Sequence, residues 1–173
     1  DLTPFDAETA KKVDVSKGAY VISDDEETDI VFIATGSEVN LALEAAKILR
    51  ESGGGVRVVS MPSQELFLEQ DYDYQGSVLP PDCMCYVSIE AGSTFGWHRF
   101  IGRDGLAIGL DHFGASAPYK VLAKEFGFTP EGVIERIKDH FICSEEDDDC
   151  GCGCGCEDDD CGCGDCGCEH DHK

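Results

Sequence analysis

IVFIATGSEVNLALEAAKILRESGGGVRVVSM, residues 30–61, reads as a strand, a helix and a second strand in that order. Ile30 to Ala34 is apolar at every position, the pattern of a strand covered on both faces, and it predicts a central strand of a sheet. Thr35-Gly36-Ser37 then turns the chain, with Ser37 placed to cap a helix. Val39, Ala42, Leu43, Ala46 and Leu49 recur at helical spacing up to Arg50, and Ser52-Gly53-Gly54-Gly55 stops that helix. Val56 to Met61 returns as a strand, and the right-handed crossover rule makes the two strands parallel.

Working outward, Tyr86 to Glu90 and Leu106 to Leu110 read as two further strands and Ala19 to Ile22 as a weaker fifth. Ser63 to Leu68 and Asp71 to Val78 read as short helices before Pro80-Pro81. Ser116 to Phe126 and Pro130 to Phe141 are predicted as longer helices. The last has Thr129 as its cap, Pro130 in its first position and Val133, Ile134, Ile137 and Phe141 on one face. The expected fold class is therefore α/β, a three-layer arrangement with helices on both faces of a five-stranded, mostly parallel sheet.

The 173 residues carry 36 Asp and Glu against 13 Lys and Arg, a formal net charge of −23. Such a chain lacks the clustered cations that displace counterions from phosphates, so nucleic acid is not an expected partner. No run of roughly 18 apolar residues is present to make a membrane helix, and the first residues lack the basic start and apolar middle of a secretory leader. The chain reads as soluble and unexported. Closely spaced thiols suit a reducing interior, so the expected compartment is the cytoplasm.

Composition divides the chain at Ile142. Residues 143–173 hold nine of the eleven Cys, twelve acids and Lys173 as the sole Lys or Arg, with no Leu, Val or aromatic residue. Such a segment cannot bury enough apolar area to offset its ordering entropy, and it reads as disordered unless a metal or crosslinks order it. Three parts follow: an extension or linker over 1–16, a folded domain over 17–142, and an acidic Cys/Gly-rich tail over 143–173.

Several stretches of the domain closely resemble one family. They are Ile33-Ala34-Thr35-Gly36-Ser37-Glu38-Val39, Arg57-Val58-Val59-Ser60-Met61-Pro62, Ile89-Glu90-Ala91-Gly92, Phe95-Gly96-Trp97-His98, and Phe113-Gly114-Ala115-Ser116-Ala117-Pro118 followed by Glu125-Phe126-Gly127-Phe128-Thr129. Their order and spacing resemble the C-terminal domain of transketolase, the thiamine-diphosphate enzyme that moves two-carbon ketol units between sugar phosphates. The resemblance covers roughly Lys17 to Phe141. It implies a mixed sheet whose first strand runs antiparallel. It also implies that thiamine diphosphate and Mg are bound by upstream domains or a partner subunit of a homo-oligomeric enzyme. The family's catalytic residues lie in those other domains, and the Gly-Asp-Gly motif that anchors the diphosphate metal is absent here. No catalytic and no cofactor-binding residue is assigned to this chain, and alone it is expected to be inactive.

Candidate sites within the domain are few. Thr35-Gly36-Ser37, at a strand end and a helix start, could hold an anion, against the simpler reading of a capped turn. Glu90, Trp97, His98, Arg99, Arg103, Asp111 and His112 gather near the last two strands, where open α/β sheets usually place sites. A Glu with a His could do acid-base work there, but Trp and Arg enrichment favours a domain or dimer contact. Cys83 and Cys85 could join a metal site, although buried Cys more often serves as a small apolar residue.

The tail carries its own candidates. Cys150, Cys152, Cys154 and Cys156 form one group, and Cys161, Cys163, Cys166 and Cys168 a second, with His170 and His172 beyond and Cys143 before. Gly-separated Cys-x-Cys repeats suit thiolate clusters of Zn or Cu, and in composition the tail resembles a metallothionein segment. Neighbouring carboxylates depress thiolate formation, which argues against nucleophilic catalysis. A redox-active Cys-Gly-Cys disulfide and a tail without specific chemistry stand as rivals. The competing function for the whole chain is a non-enzymatic metal-binding or interaction protein that uses the domain as a soluble carrier.

Overall fold

A computed structural model of the protein describes residues 7–141. Residues 1–6 and 142–173, and with them Cys143 and the eight tail cysteines, lie outside the described residues. A short helix α1 (Ala7–Lys12) and a 3-10 turn (Val15–Lys17) lead into the sheet. There follow β1 (Tyr20–Ser23), β2 (Ile30–Ala34), α2 (Glu38–Glu51), β3 (Val56–Ser60), α3 (Gln64–Leu68) and α4 (Tyr72–Val78). The chain continues through β4 (Cys85–Ile89), α5 (His98–Ile101), β5 (Leu106–Ile108), α6 (Tyr119–Glu125) and α7 (Pro130–Phe141).

The five strands form one sheet in the order β1-β3-β2-β4-β5. β3, β2, β4 and β5 are parallel, and β1 runs antiparallel along β3, as the resemblance implied. All five residues of β2 are buried, and alternate side chains feed two different cores. Ile30, Phe32 and Ala34 join Val39, Ala42, Ala45 and Ala46 of α2 and Val133, Ile134 and Ile137 of α7 on one face. Val31 and Ile33 join Phe67 of α3, Val78 of α4, and Trp97 and Ile101 at α5 on the other. These are the expected three layers. Phe32 is fully buried in the middle strand, and its truncation to Ala costs about 3–5 kcal/mol.

Local expectations divide. Thr129 caps α7 as read, its Oγ1 accepting from the Gly132 N–H at 3.1 Å. Ser37 does not cap α2: its backbone is already helical (φ −69°, ψ −28°), and its hydroxyl donates sideways to Glu38 Oε1 at 2.7 Å. α6 begins at Tyr119 rather than Ser116, because the residue before Pro118 is pushed away from helical backbone angles. β5 ends at Ile108, beyond which the Leu110 N–H leaves the ladder for the Gly92 carbonyl.

Where the parallel strands begin, two arginines pin the β1–β2 loop. Arg50 Nε donates to Asp25 Oδ2 at 2.6 Å, and the same oxygen accepts from the Val56 N–H at 2.8 Å. Arg57 grips both oxygens of Asp24 at 2.8 Å, a two-pronged geometry that fixes direction as well as distance. Gly55 lets the loop close: a Cβ there would lie 1.8 Å from the Glu27 carbonyl oxygen. These contacts occupy the end of the sheet opposite the strand carboxyl termini, leaving that other end to the long loops.

Candidate functional site

The carboxyl ends of β4 and β5 project two loops, residues 90–97 and 109–118, which hydrogen bonds tie together. Asp111 is the clasp. Its Oδ1 accepts from Ser93 Oγ at 3.0 Å and from the Thr94 N–H at 2.9 Å, and its Oδ2 accepts from Thr94 Oγ1 at 2.6 Å. The Thr94 hydroxyl, then the Thr94 amide, then the Ser93 hydroxyl hold this carboxyl below the usual carboxylate range. It stays ionised and spends its lone pairs on the loop, so it is not a proton donor near neutral pH. Gly109 completes the join, since a Cβ there would sit 2.7 Å from the Gly92 carbonyl.

Glu90 and Trp97 do meet. The indole Nε1–H donates to Glu90 Oε2 at 2.7 Å, and Trp97, only 3% exposed, stacks edge-on against Phe100 with ring centroids 6.1 Å apart. The Glu–His pairing is not made. His98 turns its Nδ1 to the Gly102 carbonyl at 3.3 Å, and His112 turns its Nδ1 to the Phe113 carbonyl at 2.9 Å while its ring leans on Phe126. Arg99 and Arg103 are exposed, and Arg99 borders a shallow groove beside Phe67, Tyr72 and Phe100. The seven predicted residues thus share one edge of the sheet without assembling an acid-base pair.

The other two sites dissolve on inspection. At Thr35-Gly36-Ser37 the Glu38 N–H is taken by the Thr35 carbonyl, and the Glu38 carboxylate occupies the first turn of α2, where it would repel an incoming anion. Cys83 and Cys85 pack toward opposite faces of the sheet, Cys83 against the core of α3 to α5 and Cys85 against the core of α2 and α7. Burial first, then the nearby Cys83 and Asp29, pushes the Cys85 thiol up, so it is a poor nucleophile at neutral pH. Among the described residues no three His, Cys, Asp or Glu side chains gather as a metal site.

Sequence reading missed the most conspicuous surface feature. Phe95 is 94% exposed, Phe113 99%, Tyr119 73%, and Val121 is also exposed. Phe95 and Phe113 flank the Asp111 clasp on its two loops, and Tyr119 and Val121 begin the helix that follows. The available signal was position: these aromatics stand in Ser/Gly loops, Ser93-Thr94-Phe95-Gly96 and His112-Phe113-Gly114-Ala115, not in a periodic element that would bury them. Both loops and the start of the following helix thus present large apolar side chains to water.

The family model of the transketolase-like TK C-terminal domain matches residues 18–129. A chloroplastic transketolase of Craterostigma plantagineum is 52% identical over 128 residues, 72% of this chain and 25% of that protein. A transketolase of Aquifex aeolicus is 51% identical over 124 residues, 71% of this chain and 18% of that protein. A transketolase crystal structure from Pichia stipitis superposes with a TM-score of 0.68 at 42% identity, covering 75% of this chain and 18% of that one. The chain therefore spans a quarter or less of the length of each of these relatives.

At the β4–β5 loops the nearby carboxylates are already engaged: Asp111 accepts three hydrogen bonds from Ser93 and Thr94, and one Glu90 oxygen accepts from the Trp97 indole, whereas magnesium needs several free oxygen ligands.

Proposed function

Because the chain belongs to the transketolase family, through its C-terminal domain, we propose that it serves ketol transfer between sugar phosphates as a supporting domain with no reaction centre of its own. The carrying observation is the set of exposed aromatics at the strand carboxyl ends, Phe95, Phe113 and Tyr119, fixed around the Asp111 clasp. Leaving that area in water is unfavourable at roughly 25 cal/mol per Å² of apolar surface, so covering it by upstream transketolase domains or a partner subunit stabilises the assembly. The complete, homo-oligomeric assembly supplies thiamine diphosphate and Mg from those other domains. This chain supplies rigidity: the Glu90–Trp97 and Asp111–Thr94 bonds keep two loops in one arrangement before docking, which lowers the entropic cost of association.

Two measurements test the reading. The purified chain with thiamine diphosphate, Mg and pentose phosphates gives no turnover, and measurable turnover would overturn the proposal. Added to a relative's transketolase that lacks its C-terminal domain, the full chain binds. Phe95→Asp with Phe113→Asp weakens that binding at least tenfold, since a buried aromatic anchor contributes about 2 kcal/mol or more. Unchanged affinity in the double variant would place the contact elsewhere.

A further inference from the structure

The geometry points to Glu90 as the receptor for a cationic side chain, an Arg or Lys that the covering partner inserts between the carboxyl ends of β2 and β4. The sheet order β1-β3-β2-β4-β5 makes that gap the topological switch point, because the chain leaves β2 for β3 on one side and reaches β4 on the other. Open α/β sheets form a crevice there, since the flanking connections cross on opposite faces. Here α2 lies on one face, and α3 and α4 lie on the other. Ala34 pairs with Ile89, so Thr35-Gly36 and Glu90-Ala91-Gly92 leave the sheet side by side. Small residues line that exit. Gly36 has open space where a Cβ would stand, and Gly92, whose Cβ would lie 3.7 Å from Glu90 Oε1, puts no side chain over it.

Glu90 is held in place but not satisfied. Its backbone N–H donates to the Ile108 carbonyl at 3.1 Å, and its Oε2 accepts from the buried Trp97 indole at 2.7 Å. Oε1 accepts no hydrogen bond from the described residues, and the only ion pairs among them are Arg50–Asp25 and Arg57–Asp24. Glu90 is therefore a half-buried, fixed carboxylate with no cation beside it. Glu38, in the first turn of α2, adds negative charge at the same end of the sheet. Asp111 differs, since its three hydrogen bonds are made within the chain. Glu90 opens the loop that carries Phe95, so a partner that covers the aromatics strips water from its free oxygen too. Burying a carboxylate without a counter-charge strongly opposes association, and a cover that binds must bring the missing donor. The inference rests on the docking role proposed above and goes further by fixing the charge of the partner's contacting group.

The test is calorimetric titration of the full chain into a relative's transketolase that lacks its C-terminal domain. In Glu90→Gln the amide oxygen still accepts from the indole, so unchanged Trp97 emission in the free variant shows the loop intact, while the amide NH2 faces the incoming cation. Glu90→Gln should weaken binding tenfold or more, the scale of a buried charge pair that loses one member. A second pair of variants keeps the test valid if Glu90→Gln does not fold. Gly92→Lys sets the chain's own cation beside Glu90, and it should bind more weakly than Gly92→Met, a neutral side chain of similar length. Equal or tighter binding by Glu90→Gln, or equal affinities for Gly92→Lys and Gly92→Met, would overturn the assignment. If Phe95→Asp with Phe113→Asp still weakens binding in that case, the docking role stands without it. No binding by the unmodified chain would overturn both.

Discussion

Ser88 lies on β4 between Ile33 of β2 and Ala107 of β5, is 1% exposed, and its hydroxyl has no hydrogen-bond partner among the described residues. A buried hydroxyl without a partner costs about 1–3 kcal/mol of desolvation. Ser88→Ala should therefore leave the unfolding free energy read from urea titration unchanged or raise it by up to about 1 kcal/mol; a clear loss of stability would reveal a partner for the hydroxyl. Asp111 is the opposite case, an exposed carboxylate that accepts three hydrogen bonds from its own loops. Its folded value is depressed, so its tie to Thr94 is intact above the ordinary carboxylate range and is lost as pH falls through that lowered value. The protection factor of the Thr94 amide, its exchange rate measured against that of a free amide at the same pH, should fall on acidification, and Asp111→Asn should lower it already at neutral pH.

At the level of elements, the sheet and its helices follow from patterns that physics makes visible: full burial over Ile30 to Ala34, helical period over Val39 to Leu49, Thr129-Pro130 before α7. Exact termini were less legible because long-range contacts decide them. Ser37 lost its cap to a neighbouring carboxylate, and β5 stopped where Gly92 offered a better acceptor. The loop between β1 and β2, with no period at all, turned out to be bolted to α2 and β3 through Asp25 and Arg50. Arg50 first, then the Val56 amide, holds the Asp25 carboxyl low, so this stabilisation is present above the usual carboxylate range and fades in acid. Asp25→Asn should cost about 1 kcal/mol at neutral pH, the scale of a partly exposed ion pair with one amide bond, and flatten the acid limb of the stability curve. Gly55→Ala, driven into the Glu27 carbonyl, should cost about 3 kcal/mol, read from the same denaturation curves.

Across the whole molecule, the fold was legible in sequence and the site only half so. Residue types placed Glu90, Trp97 and Asp111 on one edge, but which of them touch depends on loop conformation, and neither Ser93 nor Thr94 advertises itself as a partner of Asp111. Exposure is likewise a three-dimensional property: Phe32 and Phe113 are the same residue type, one sealed in the sheet and one 99% in solvent. That contrast separates folding from docking. Phe113→Ala should change unfolding free energy by no more than about 0.5 kcal/mol, whereas Phe32→Ala takes away several times that. Trp97 adds a practical consequence, because the chain contains a single tryptophan and it is buried with its indole N–H on Glu90, directly beneath the loops that would be covered. Ultraviolet emission from this chain therefore comes with a built-in, unlabelled reporter at the docking edge, and a partner with its own indoles replaced by phenylalanine would announce its arrival as a change in colour and lifetime.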